Sequence, residues 1–333
     1  MPDDLRLLNS TGYTHIDAIL RGVIGIFEVA LPTRIISYYV TGSYTDHTAV
    51  PDSDLDVVVV FAGVSEPGER QRFQQIATHL AQISPVLLDC AFYNSETLLT
   101  EARMEIMNAL LVYGEDGRDY YQLESMDRHT ARAIHRALTV MRSLRGEADN
   151  LVAPLDYPQV DDPFYGYDRY GTPISPTENR PGLRNVVALT TIMPTALVAL
   201  ASGHRAATKR QAVTLYRRHI NDEWTAFIGD AYQSINLRWH YRIPSDQAER
   251  DRLRGIGQWL LGFENHFLAV IRETLLGYLH HESATVRFFA LDALLAVTFT
   301  DDEAITTIMA LPLDDVNSEL IQALQQKVAR LRL

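Results

Sequence analysis

The chain has 333 residues, 47% of them hydrophobic and 22% charged, and 42 acidic against 30 basic side chains leave a formal net charge of −12. This is the composition of a globular protein with length for two or three domains. The negative charge argues against a surface that neutralises nucleic-acid phosphates, so DNA is not an expected partner.

The opening "MPDDLRLLNS" is acidic and has neither the basic flank nor the apolar core of a signal peptide. Residues 14–30, "THIDAILRGVIGIFEVA", repeat apolar positions at helical spacing. "RIISYYV" (34–40) reads as a strand, "TGSYTDHTAVPDSD" as turn chemistry, and "LDVVVVF" (55–61) as a second strand with nothing polar after Asp56. An amphipathic helix is expected over 66–84, a third strand over 85–93, and a mostly helical stretch over 95–114 that closes at Gly114. The one cysteine, Cys90, lies in "VLLDCAF". It excludes a disulfide framework and a cysteine-based zinc site, and suits a reducing, cytoplasmic setting.

From about residue 127 the pattern becomes helix upon helix, with Asp127 as the expected N-cap of the first. Residues 150–184 have no periodicity and are dense in Pro, Gly, Tyr and Asp. Their five aromatics (Tyr157, Phe164, Tyr165, Tyr167 and Tyr170) favour an ordered excursion over a disordered one. Helices are expected at 185–202, 208–219, 221–236 and 246–275. The uncharged run 185–203 approaches the length of a bilayer span. It is rich in Ala and Thr, is interrupted by Pro194 and stands alone, so it reads as a central bundle helix and no membrane is expected.

Asp54 and Asp56 are two residues apart on an extended chain, which puts both carboxylates on one face at roughly 7 Å. Two such groups repel unless protonated or bridged by a cation, and a hard divalent ion such as Mg²⁺ is the natural bridge. Asp89, mid-run in the third strand, completes a three-acid cluster if that strand lies beside 55–61. Gly42 and Ser43 directly follow a strand. Glycine lets backbone approach a phosphate closely, and the amides and the Ser hydroxyl are phosphate donors.

Gly-Ser at 42–43, "DSDLD" at 52–56 and an acid at 89 resemble, in order and spacing, the polymerase-β-like nucleotidyltransferases. The stretch "ALVALASGHRAATKRQAVTLYRRHINDEWTAFIGDAY" is similar to the helical domain of the adenylyltransferases that modify streptomycin and spectinomycin. The resemblance implies an α+β fold: a catalytic α/β domain with a small mixed sheet (1–122), a helical bundle (123–276, with the loop 150–184) and a tail (277–333). In the tail, "ESATVRFFALDALLAV" resembles one helix of a HEAT repeat, with Val286, Ala290, Leu291 and Leu294 as its buried stripe.

The resemblance further implies one or two Mg²⁺ ions on Asp54, Asp56 and Asp89, with ATP or another nucleoside triphosphate as co-substrate. Its phosphates would be held by Gly42, Ser43 and Lys209, with Arg205 and Arg210, which flank Lys209, sharing the work. Asp89 stands where that family has a glutamate base, and base or metal ligand stays open for the shorter acid. The implied acceptor is a small cationic hydroxylated molecule of the aminoglycoside class, for which Asp156, Asp161, Asp162 and Asp168 offer a lining. The alternative is a macromolecular acceptor, protein or tRNA, with the tail as a docking surface for a protein partner. His129, His135 and His280-His281 lack metal spacing, and Trp239, His240 and Tyr241 read as helix-junction packing.

Overall fold

A computed structural model of the chain describes residues 5–148, 151–169, 172–175, 178–313 and 316–331. Tyr170 lies outside the described residues. Two compact units emerge. The first comprises Met1–Ser125, Pro173–Glu178 and Ala206–Gln211, and the second Met126–Thr172, Asn179–Arg205 and Ala212–Leu333.

The first unit begins with α1 (Thr14–Ala30), β1 (Ile35–Thr41) and β2 (Leu55–Phe61), followed by α2 (Glu69–Ile83) and β3 (Leu88–Asn94). Two short helices, α3 (Ser95–Glu101) and α4 (Met104–Met107), lead into β4 (Leu110–Gly114). The four strands form one mixed sheet in the order β3-β2-β1-β4. β1 is antiparallel to both β2 and β4, whereas β2 and β3, joined through α2, run parallel.

The unbroken apolar run of β2 now has its reason: both of its faces are covered. Val57, Val59 and Phe61 pack with α1 and α2, around Leu20, Ile24, Phe27 and Phe73. Val58 and Val60 face Leu98, Ala102 and Ile106 of the α3–α4 segment. The expectation that residues 95–114 are helical up to Gly114 is corrected here, because 110–114 is the fourth strand. Leu111 pairs with Tyr39 and Tyr113 with Tyr38, so pairing along the free edge of β1 overrides the helical tendency of "ALLVY".

β5 (Thr172–Ser175) and β6 (Glu178–Arg180) pair with each other. The helices of the second unit are α5 (Met126–Leu144), α6 (Arg184–Ser202), α7 (Lys209–His219, whose first three residues belong to the first unit), α8 (Thr225–Ala231) and α9 (Gln247–Tyr278). α8 runs on into a π-type segment, Tyr232–Arg238. The tail forms α10 (Ala284–Ala296), α11 (Asp302–Met309) and α12 (Ser318–Leu331). Asp127 is not the N-cap of α5: the helix already includes Met126, and the Asp127 carboxylate instead accepts a 3.1 Å hydrogen bond from the Tyr278 hydroxyl.

Among the described residues α6 is the helix long and apolar enough to cross a bilayer, and 61% of its apolar window is buried. It packs along α5, with α8 and α9 also against it. α10 packs on the same α5, its stripe of Val286, Ala290, Leu291 and Leu294 buried and His135 Nε2 2.7 Å from Asp292 Oδ2.

Residues 151–169 are held to α9 by their aromatics. Tyr167 donates to Glu264 at 2.6 Å, and Glu264 is also paired at 2.8 Å to Arg145, which directly follows α5, with both side chains of that pair buried. Burial and the neighbouring Glu264 push the Tyr167 phenol well above its ordinary range. The Tyr165 hydroxyl accepts from Gln258, and the Arg254 guanidinium lies over the Tyr165 ring.

Candidate active site

β1 runs straight into a turn of interlocking hydrogen bonds. Gly42 takes φ +74°, where a side chain is strained, and its carbonyl accepts from both the amide and the hydroxyl of Thr45, at 3.1 and 2.7 Å. The Ser43 carbonyl accepts from the Thr48 amide at 3.0 Å. Ser53, buried, closes the far end: its hydroxyl accepts from the Val50 amide at 2.9 Å. The turn therefore returns the chain to the start of β2 with Asp54 one residue before the strand and Asp56 inside it.

The parallel register sets Asp56 directly opposite Asp89 and, on the other side, Thr41 opposite Asp56. Leu55 opposite Leu88 and Val57 opposite Cys90 point to the α1–α2 core, so the two acids share the face on which Val58 and Ala91 follow. Asp56 is half-buried and Asp89 exposed. Burial first, then the charges of Asp89 and Asp56, push the Cys90 thiol up to about 12. Asp54 is half-buried beside Tyr44, whose phenol is raised by burial, by Tyr13 and by Asp54.

Gly42 is what lets the turn and the acids meet. A Cβ built on it would lie 2.6 Å from Asp56 Oδ2, a separation that side chains do not tolerate. The Gly-Ser turn and the Asp56–Asp89 pair are thus one site at one end of the sheet. The donor set is all oxygen, which fits a hard divalent cation. Among the described residues no three His, Cys, Asp or Glu side chains are gathered as a metal cluster, so the three-acid cluster expected of Asp54, Asp56 and Asp89 is not formed; the register brings together Asp56 and Asp89.

Lys209 and Arg210 open α7 and are exposed; with Ala206–Gln211 they belong to the first unit, whereas Arg205 belongs to the second. Arg210 Nε stands 3.7 Å from Asp46 Oδ2 in the turn after Gly42-Ser43. Sequence reasoning passed over Asp46, although Asp followed two residues later by Thr is a readable turn signature: Thr48 donates to Asp46 Oδ1 through its amide at 3.3 Å and its hydroxyl at 2.5 Å.

The acids of the 151–169 stretch differ among themselves. Asp156 and Asp161 are exposed, Asp162 is paired with Arg169 at 2.9 Å, and burial raises the Asp168 carboxyl. His129 is buried, His135 binds Asp292, and His281 stands 3.4 Å from Asp127. Trp239 donates to Glu249, and Tyr241 is buried under the Arg184 guanidinium.

Residues 20–113, which span α1 to β4, match the family described as nucleotidyltransferase domain. No curated protein matches the chain.

Proposed function

We propose that this enzyme, a nucleotidyltransferase by the domain at 20–113, moves AMP from ATP to a hydroxyl of a small cationic acceptor of the aminoglycoside class. The observation that carries the phosphate chemistry is the meeting of Gly42 with the Asp56 carboxylate, beside Asp89 in register. On this reading the turn would cradle the phosphates and the pair of acids would bind the metal. Asp54, Asp56 and Asp89 would hold Mg²⁺, and the ion would supply neutralisation of the phosphate charge. The turn amides at Gly42 and Ser43, with the Ser43 hydroxyl, bind the β- and γ-phosphates. Lys209 adds its charge from the start of α7, and Arg205 extends the basic set.

The acceptor hydroxyl attacks the α-phosphorus in line and pyrophosphate leaves. Where Asp54 and Asp56 alone hold the ion, the exposed Asp89 carboxylate takes the hydroxyl proton. Positioning and charge neutralisation supply most of the rate in such reactions. The excess of acid over base in the chain and the exposed Asp156 and Asp161 favour a cationic acceptor. A reducing, cytoplasmic setting agrees with a single unpaired cysteine.

A second reading is a macromolecular acceptor, protein or tRNA. It draws on the tail, where Phe288, Met309, Leu313 and Val316 are exposed large apolar side chains. The test is pyrophosphate release from each of the four nucleoside triphosphates with Mg²⁺, with and without a panel of aminoglycosides, beside the Asp54→Asn/Asp56→Asn variant. Release that requires one antibiotic, disappears in the variant and is abolished by EDTA establishes the proposal. Release with none of them, and label carried to a protein or tRNA instead, overturns the small-molecule acceptor.

A further inference from the structure

We propose that Asp46 is a positioning residue of this site: through Arg210 it holds the first turn of α7, and with it Lys209, against the phosphate-binding turn. The inference rests on the nucleotidyltransferase reading of that turn and adds a residue to it. Asp46 sits between Gly42-Ser43 and the acids, and its side chain is only 12% exposed. Its two oxygens are used differently. Oδ1 takes both hydrogen bonds from Thr48, whose amide is in turn bonded to the Ser43 carbonyl. Oδ2 is closed off from solvent and accepts no hydrogen bond, and what faces it is the Arg210 guanidinium, 3.7 Å away.

A connected path therefore runs from Ser43 through Thr48 and Asp46 to Arg210, the next residue after Lys209. At 3.7 Å the last link is one of charge rather than hydrogen-bond geometry. Charge makes it directional, because a neutral amide at position 46 keeps the Thr48 bonds and loses only the hold on Arg210. It also makes the link sensitive to salt. An ion pair with one exposed partner contributes up to about 1 kcal/mol, which corresponds to about fivefold in affinity.

The experiment measures Mg-ATP affinity of the full chain by calorimetric titration, with melting temperature recorded for each protein. Asp46→Asn and Arg210→Gln are each expected to bind about fivefold more weakly at low salt. The double variant should also be about fivefold weaker, since both changes break one link. Asp46→Glu should bind as wild type, and the deficits should shrink toward 1 M salt, where the Debye length is about 3 Å. Single variants at wild-type affinity would overturn the proposal. So would a double variant weakened about 25-fold, which is what independent contributions give. A third overturning result is an Asp46→Asn deficit that follows a fall in melting temperature while Arg210→Gln binds normally, since Asp46 would then serve only the turn. Wild-type protein that binds none of the four triphosphates is a separate outcome: it refutes the nucleotidyltransferase reading and this inference with it.

Discussion

Replacing Gly42 by alanine tests the centre of the site with a single methyl group. The substitution does two things. It places a residue with a Cβ at φ +74°, and it puts that Cβ 2.6 Å from Asp56 Oδ2. The first costs about 1–2 kcal/mol of stability. The second cannot be borne as it stands, because unbonded heavy atoms settle at about 3.5 Å, so the Asp56 carboxylate has to withdraw by close to 1 Å. A catalytic group displaced that far loses about 100-fold in rate. Gly68 provides the control: it has φ +79° and open space where its Cβ would go. Gly68→Ala should therefore share the stability cost and keep the activity. The assays are urea unfolding for stability and Mg²⁺-dependent pyrophosphate release for kcat/KM. The expected result is two variants of comparable stability, one of them about 100-fold less active. Gly42→Ala with the activity of Gly68→Ala would refute the reasoning, since the turn and the acid would then not share the space the structure gives them.

Arg145→Met leaves Glu264 charged, buried and short of its partner, and should cost about 3–5 kcal/mol in urea unfolding of the helical unit. Removing both charges with Arg145→Met/Glu264→Leu should recover much of that loss. The Asp116 carboxyl, bonded to Arg118, is held down at about 2 against an ordinary 3.8. Its contribution to stability is therefore complete above pH 3.8 and is lost as the pH falls toward 2; Arg118→Met should flatten the acid limb of a stability–pH curve. Cys90, with its thiol pushed up to about 12, should react only slowly with iodoacetamide at pH 8 and react readily once unfolded in urea. Fast alkylation of the folded chain would contradict the packing of β3 against α1 and α2.

How much of this was readable from residues alone varies along the chain. α1 and β2 were legible to the residue because their signals are strong and local: a helical apolar repeat in one, and a β-branched run closed by turn chemistry on its upstream side in the other. The acids and the Gly-Ser turn stood out as charges and a turn at the head of an apolar strand, and the structure sets Gly42 against Asp56 and Asp56 beside Asp89. β4 was not legible. "LLVYG" is too short to distinguish from a helix end, and only the open edge of β1 makes it a strand. Asp127 misled for a related reason: a cap-type residue near a helix start was read as the cap, whereas its partner Tyr278 lies 151 residues away. The Asp46–Arg210 pair is also long-range, and the turn hides its acid among other polar residues.

The register of β2 against β3 has a consequence for how such a site can change. Asp56 comes before α2 and Asp89 after it, and their companionship depends on parity. One residue removed between α2 and Asp89 would set Cys90 opposite Asp56, and one added would set Leu88 there; either change sends the acid into the apolar layer under α1 and α2. Two residues added would return an acid to the correct face one step along the strand. Variation in the connection is therefore quantised: the loop before β3 can lengthen or shorten in pairs at the strand end, or freely where the helix absorbs it. An odd change passed on to the strand silences the site and turns every side chain of β3 to the wrong face.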